Sequence, residues 1–157
     1  MLMGAMMRDL GVDRKAGVEQ ALDTSFTAAT KKIEGLETTS QQLGYFAALS
    51  EADQRELLTG LVDGSGNAKT DYAKLIAAWS SGDEKALAKV VADDEDLTPH
   101  LREVLLRQRN ANWAKWLKAR LDRPGTVLVA VGAGHLAGPT SVQAMLEKQG
   151  VKVERVQ

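Results

Sequence analysis

The sequence predicts an α/β fold that is predominantly helical, with a small parallel sheet and a carboxyl-terminal βαβ unit. Apolar residues recur at three- and four-residue spacing along most of the chain, which is typical of amphipathic helices. Near the end, apolar runs at 127–131 and 151–156 flank a glycine loop and a helical pattern, which is the order of a βαβ unit. The length of 157 residues indicates one domain, over residues 1–157.

Helical periodicity and capping residues account for most of the chain before the first predicted strand. An apolar run at 33–36 is a possible short strand, and the acidic run at 93–96 is a solvated linker. Thr98 and Pro99 have the residue types of a cap and a first-turn proline at the start of a long helix. The predicted helices cover residues 17–30, 39–49, 50–62, 70–81, 83–92, 98–121 and 139–149.

Composition excludes several classes of function. The chain has 20 lysine and arginine residues against 21 aspartate and glutamate residues, so its formal net charge of -1 predicts no nucleic-acid partner. The absence of cysteine excludes disulfides, thiolate zinc sites and cysteine nucleophiles. The opening MLMGAMM is too short for a membrane span and lacks the basic region of a signal peptide.

The glycine loop before the last helix, VGAGHLAG, has three interpretations. Gly132, Gly134 and Ala137 satisfy the dinucleotide-binding pattern G-x-G-x-x-A, and Glu154 lies near the usual place of its ribose-binding acid. A dinucleotide fold needs more strands than follow this loop, which weighs against that interpretation. Alternatively, His135 is a neutral ligand or base at the end of a strand, where flanking glycines let a metal or substrate approach. The third interpretation is a tight turn.

Polar residues inside an apolar stripe form a second unusual feature. Arg109 and Asn110 interrupt the apolar face of the helix predicted over 98–121, where a charge needs a partner or a path to water. Glu37 follows a possible strand, as His135 does, so parallel strands would bring both side chains to one sheet edge. Glu37 could pair with Arg109, hold a metal or polarise water, or it could be a first-turn acid favoured by the helix dipole.

Other conspicuous side chains have simpler interpretations. His100 lies in the first turn of a predicted helix and is expected at the surface. Trp79, Trp113 and Trp116 have helical spacing, which favours core or groove lining over a cofactor stack. Ser141 has no G-x-S-x-G setting, so a serine hydrolase is a weak interpretation.

Four blocks of the sequence, in this order, resemble the TraB/GumN family, which is related to the Tiki metalloproteases. The blocks are residues 17–54, AAWSSGDEKAL at 77–87, LLRQRNANWAKWL at 105–117, and the glycine-loop region at 127–156. The resemblance implies that residues 132–135 are a G-x-x-H motif, that Glu37 is the acidic motif, and that Arg109 with Asn110 is the arginine-asparagine motif.

The resemblance implies metal-dependent hydrolysis, with peptide bonds as the expected substrates and manganese, cobalt or zinc as the expected ion. Glu37, His135, Arg109 and Asn110 are then the expected catalytic residues, and His135 and Glu37 are the expected metal ligands. The two glycines beside the histidine are expected to line the cofactor. The alternative is a non-catalytic binding or interaction module that retains the family fold.

Family members begin with a strand that carries a first G-x-x-H motif, and this sequence has no such segment. We therefore expect an incomplete domain, truncated at the amino terminus, in which half of the site is missing. Missing central strands would leave open sheet edges or an uncovered apolar face, so we expect a homodimer or a domain-swapped oligomer. The resemblance alone suggests a location in the cell envelope or periplasm.

Overall fold

The computed structural model describes residues 11–63, 68–94 and 97–156, and in these ranges the chain consists of helices joined by turns and irregular segments. A π-helical segment, Glu103–Arg107, joins the α-helix Pro99–Arg102 to the α-helix Gln108–Leu121 in one long helix, and 3₁₀ turns lie at Arg14–Ala16 and Ala133–Leu136. None of the described helices is long and apolar enough to cross a membrane, and the opening MLMGAMM lies outside the described residues. The helices are α1 (Val18–Ala28), α2 (Thr39–Ala47), α3 (Glu51–Asp63), α4 (Ala68–Ser80), α5 (Glu84–Ala92), α6 (Pro99–Arg102), α7 (Gln108–Leu121) and α8 (Val142–Glu147).

Side-chain caps determine where several helices begin. Asp83 accepts the N–H of Ala86 at the start of α5, and Thr98 accepts the N–H of Leu101 at the start of α6. The last helix begins later than the sequence predicts because Ser141, not a residue before Pro139, is its cap. Local capping chemistry therefore predicts most helix positions well and one boundary poorly.

The predicted parallel sheet and βαβ unit are wrong for the described part of the chain, which contains no strand. Residues 127–131 and 151–156 make no backbone hydrogen bonds with each other, and the possible strand at 33–36 is irregular. The N–H of Val151 instead donates to the Leu146 carbonyl oxygen at 3.1 Å, which closes α8. A strand is defined by backbone pairing with another strand, and these segments have none.

Burial explains the strand-like composition of these two segments. Val131, Val151 and Val153 pack against the larger core cluster, which lies between α7 and α8. That cluster consists of Trp113, Ala114, Val142 and Leu146. A short apolar run predicts burial but not backbone pairing, so it does not distinguish a strand from an irregular buried segment.

A second core cluster fixes the other side of the histidine turn. Ala78 of α4, Leu87 of α5 and Ala137 are buried together, with Ala133 packed against them. The 3₁₀ turn Ala133–Leu136 therefore lies between Val131, which packs against the first cluster, and Ala137, which is buried in the second, although it has no strand before it.

The helices α1 and α2 contain no buried residue, and Leu43 and Phe46 of α2 are exposed. An oligomer was expected because of open sheet edges, but the described residues form no sheet, so that reason no longer applies. The exposed apolar side chains are the argument that remains, and the oligomeric state stays a prediction.

We expect Leu101→Ala to lower the free energy of unfolding by about 2–5 kcal/mol, because Leu101 is fully buried and its truncation leaves a cavity. The matched control is Leu121→Ala at the end of α7, where the side chain is 58% exposed. This variant should change stability by about 0.5 kcal/mol or less. Urea unfolding followed by circular dichroism measures both, and equal losses would contradict the packing of Leu101.

Candidate functional site

The turn before α2 places Glu37 against α7. Thr38 starts α2 with a capping box, in which its Oγ1 accepts the Gln41 N–H at 3.2 Å and Gln41 Oε1 accepts the Thr38 N–H at 2.8 Å. Gly35 is required for this turn, because a Cβ there would lie 2.8 Å from the Glu37 carbonyl oxygen. The Glu37 side chain is only 5% exposed.

Arg109 holds the Glu37 carboxylate through a bidentate ion pair. Arg109 Nε donates to Glu37 Oε1 at 3.0 Å and to Oε2 at 3.2 Å, and Nη2 donates to Oε2 at 2.8 Å. Trp113 Nε1 donates to Oε1 at 3.0 Å, and Gln42 Nε2 donates to Oε2 at 3.4 Å. Burial alone would raise the pKa of Glu37, but the hydrogen bonds and charge of Arg109 outweigh burial and lower this pKa. Glu37 is therefore ionised, and both of its oxygens are engaged.

Aromatic rings enclose the guanidinium of Arg109. Its central carbon lies 5.0 Å from the Trp113 ring centroid and 5.7 Å from that of Tyr45. Nη1 donates to the Leu105 carbonyl oxygen at 3.2 Å. The sequence left open whether Arg109 has a charged partner or a path to water, and the structure shows that it pairs with Glu37.

Asn110, the next residue on α7, fixes His135. It is 1% exposed, and its Nδ2 donates to the Thr140 carbonyl oxygen at 2.8 Å, which leaves Oδ1 2.6 Å from His135 Nδ1. An amide oxygen only accepts, so His135 Nδ1 carries the proton and Nε2 keeps its lone pair. Among the described residues, no side chain or backbone group hydrogen-bonds to Nε2. The histidine therefore presents an open nitrogen.

The environment keeps His135 neutral. Burial, followed by the positive charge of Arg109, lowers the pKa of His135 to about 4, although the negative charge of Glu37 opposes this shift. The sequence suggested that a helix amino terminus would keep the ring neutral, but α8 begins only at Val142. At pH 7 the imidazole is therefore uncharged, as a ligand or base must be.

Trp113 contacts both Glu37 and His135, although the sequence predicted only core or groove lining for it. It is buried, its N–H binds Glu37, and its ring centroid lies 4.4 Å from that of His135 at an interplanar angle of 47°. The available signal was its spacing on one helix face, four residues after Arg109 and three after Asn110.

The glycines of the histidine turn do not form a dinucleotide cradle in the described structure. Neither Gly132 nor Gly134 has a positive φ, and a Cβ on either would make ordinary contacts at 3.8 and 3.7 Å. The dinucleotide interpretation required a strand before the loop, and the described residues contain none. The role of these glycines in cofactor approach stays a prediction.

The site offers one open metal-binding atom among the described residues. His135 Nε2 is open and neutral, whereas Arg109 and Trp113 engage both oxygens of Glu37. In the described ranges no group of three His, Cys, Asp or Glu residues could hold a metal ion. Protein metal centres typically take three or four protein ligands, so these residues fit one ligand position and not a complete centre.

The described part is thus a helical protein in which a buried glutamate–arginine pair adjoins a neutral histidine. Residues 1–155 match the family model of the TraB/PrgY/gumN family, which covers nearly the whole chain. The chain therefore belongs to the TraB/PrgY/gumN family, as its sequence resemblance predicted. No curated protein and no solved structure matches it.

We expect Arg109→Ala to lower the free energy of unfolding at pH 7 by about 3 kcal/mol, because it leaves a buried carboxylate without its partner. Adding Glu37→Gln should restore part of this loss, since no unpaired charge then remains. Arg107→Ala is the matched control, because it removes a more exposed pair with Glu103 and should change stability little. Equal urea midpoints for Arg109→Ala and Arg107→Ala would contradict the structural role of the buried pair.

His135 should make stability fall with acidification between pH 7 and pH 5. Its folded pKa of about 4 lies below its ordinary value of 6.5, so the unfolded chain binds more protons in this window. The expected loss is about 2 kcal/mol. This loss should be absent from His135→Gln, and subtracting the two curves cancels the carboxylate titrations that both proteins share.

The control for that experiment is His100→Gln, which replaces an exposed histidine and should retain most of the pH-dependent loss. Denaturant unfolding at both pH values gives the comparison. Parallel pH dependence in wild type and His135→Gln would show that His135 is not held neutral.

Proposed function

We propose that this chain contributes the histidine-bearing part of a metal-dependent hydrolase site, with peptide bonds as the substrate class. The observation that supports it is the neutral His135, whose Nδ1 is bound to Asn110 and whose Nε2 is open. Family membership and the resemblance to the Tiki metalloproteases support the hydrolase class. A divalent ion such as manganese, cobalt or zinc would supply a bound water of lowered pKa.

In this proposal His135 is the one residue of the described chain that holds the ion, and the remaining ligands come from outside the described residues. Asn110 keeps the proton on Nδ1 and thereby leaves the lone pair of Nε2 available to an ion. Arg109 adds a positive charge that disfavours the imidazolium form. Glu37 is a positioning residue, since it binds Arg109 and the Trp113 ring that lies against His135.

The second candidate is a binding module of the same family that catalyses no reaction. The observation that favours it is the engagement of both Glu37 oxygens by Arg109 and Trp113, because metal binding by Glu37 would have to compete with these hydrogen bonds. The two candidates differ in whether the site holds an ion and cleaves a bound peptide.

Calorimetric titration with Co²⁺ tests the ligand assignment. Wild type should bind the ion, and His135→Ala should bind it at least about tenfold more weakly, as loss of a directly coordinating group predicts. His100→Ala is the matched control, because the chain has 2 histidines and this one is exposed. Equal affinities of wild type and His135→Ala would remove His135 from the proposed site.

Incubation with an unstructured peptide mixture and Mn²⁺, Co²⁺ or Zn²⁺, followed by mass spectrometry, separates the two candidates. Cleavage that a chelator abolishes, that His135→Ala lacks and that His100→Ala retains would support the hydrolase. Metal binding without cleavage in any of these ions would favour the binding module instead.

A further inference from the structure

A second concave site adjoins the histidine turn and uses none of the four residues of the first site. This cleft has a volume of about 660 Å³ and lies among the α4–α5 corner, the 3₁₀ turn, α8 and the carboxyl-terminal segment. Glu37, Arg109, Asn110 and His135 do not line it. Its chemistry can therefore be considered separately from hydrolysis.

Apolar side chains form part of the wall of this cleft and remain open to solvent. Trp79 of α4 is 52% exposed and Leu136 of the histidine turn is also exposed, and both line the cleft with Val153. An exposed tryptophan beside an apolar wall offers contact area to a ligand with aliphatic groups.

Acidic side chains dominate the charge of the cleft. Its lining includes Asp83, Glu84, Glu147 and Glu154, with Arg155 as its basic residue, so four negative charges and one positive charge give a net charge of -3. Arg155 is already bound, since it donates to the Gly82 carbonyl oxygen and pairs with Glu84.

Glu154 and Glu147 differ in whether a basic side chain pairs with them. Glu154 also pairs with Lys152, which does not line the cleft. Glu147, the last residue of α8, makes no ion pair with the described residues. The acidic lining therefore retains negative charge that no basic residue of the described chain neutralises.

Gln143 lines the same cleft, but its unsatisfied acceptor lies inside the protein. Its Nε2 donates to the Leu136 carbonyl oxygen and to Glu84 Oε1, the latter at 3.3 Å. Because both partners are acceptors, the amide nitrogen must be the atom that faces them, and Oε1 is the amide atom that makes neither of these bonds. Gln143 Oε1 is buried and has no hydrogen-bond donor, so it does not face the open cleft and a ligand there does not reach it.

We propose that this cleft binds a basic peptide segment. A lysine or arginine side chain of the peptide meets the acidic lining, and its aliphatic stem and a neighbouring apolar residue contact Trp79 and Leu136. A peptide supplies a cation and apolar surface together, whereas a small hydrated cation supplies only charge. The inference goes beyond the proposed function, because it requires neither a metal ion nor peptide cleavage.

Fluorescence anisotropy at low ionic strength tests the choice of ligand. The probe is a fluorescein-labelled, amidated heptapeptide of alternating leucine and arginine, and its counterpart has glutamate in place of arginine. The arginine peptide should bind saturably and the glutamate peptide should not. Equal binding of the two peptides would overturn the proposal, as would displacement of the arginine peptide by an equal concentration of spermine.

A charge variant tests the location of the site. Glu147→Gln combined with Glu154→Gln should weaken binding of the arginine peptide roughly threefold to tenfold, because two partly exposed charges are lost. Glu19→Gln combined with Glu56→Gln is the matched control on α1 and α3, away from the cleft lining. The proposal is wrong if both double variants weaken binding equally.

An uncharged variant tests the apolar wall. Trp79→Ala should weaken binding several-fold, and because its side chain is exposed the protein should still fold. Trp116→Ala is the matched control, since Trp116 is 44% exposed on α7 and does not line the cleft. Unchanged affinity in Trp79→Ala, with circular dichroism spectra like wild type, would exclude this cleft as the peptide site.

Discussion

The bidentate pair between Glu37 and Arg109 is the interaction on which the site depends. It joins the turn before α2 to the middle of α7 across a separation of 72 residues. A carboxylate that is 5% exposed needs a positive partner and additional donors, and Arg109 and Trp113 supply both. The pair thereby explains why Arg109 lies on the inward-facing side of α7.

The same pair affects the histidine without contacting it. Trp113 binds Glu37 through its N–H and lies against His135 through its ring, while Arg109 disfavours a second positive charge nearby. Asn110 adds the hydrogen bond that selects the tautomer. Burial is the largest cause of the lowered pKa of His135, and together with these contributions from α7 it gives a neutral imidazole with an open Nε2.

The pair also bears on the choice between the two proposed functions, hydrolase and binding module. Both oxygens of Glu37 accept hydrogen bonds from Arg109 and Trp113, so the glutamate positions these neighbours, and the metal-ligand role that the family resemblance implied for it stays a prediction. The histidine turn meanwhile faces two chemical environments. His135 contacts the polar residues of α7, whereas Ala133 and Leu136 of the same turn line an acidic cleft.

The sequence by itself determined most helix positions, because periodicity, caps and prolines act within a few residues of one another, as at Thr98 and Pro99. It also identified Arg109 and Asn110, because a polar group on an apolar face must be satisfied somewhere. Glu37 and His135 drew attention for another reason, their position after predicted strands, and the described residues contain no strand. Only the tertiary structure decided the partners. The structure paired Glu37 with Arg109 and left the apolar runs without strands, because ion pairing and backbone pairing join segments whose separation no local pattern encodes.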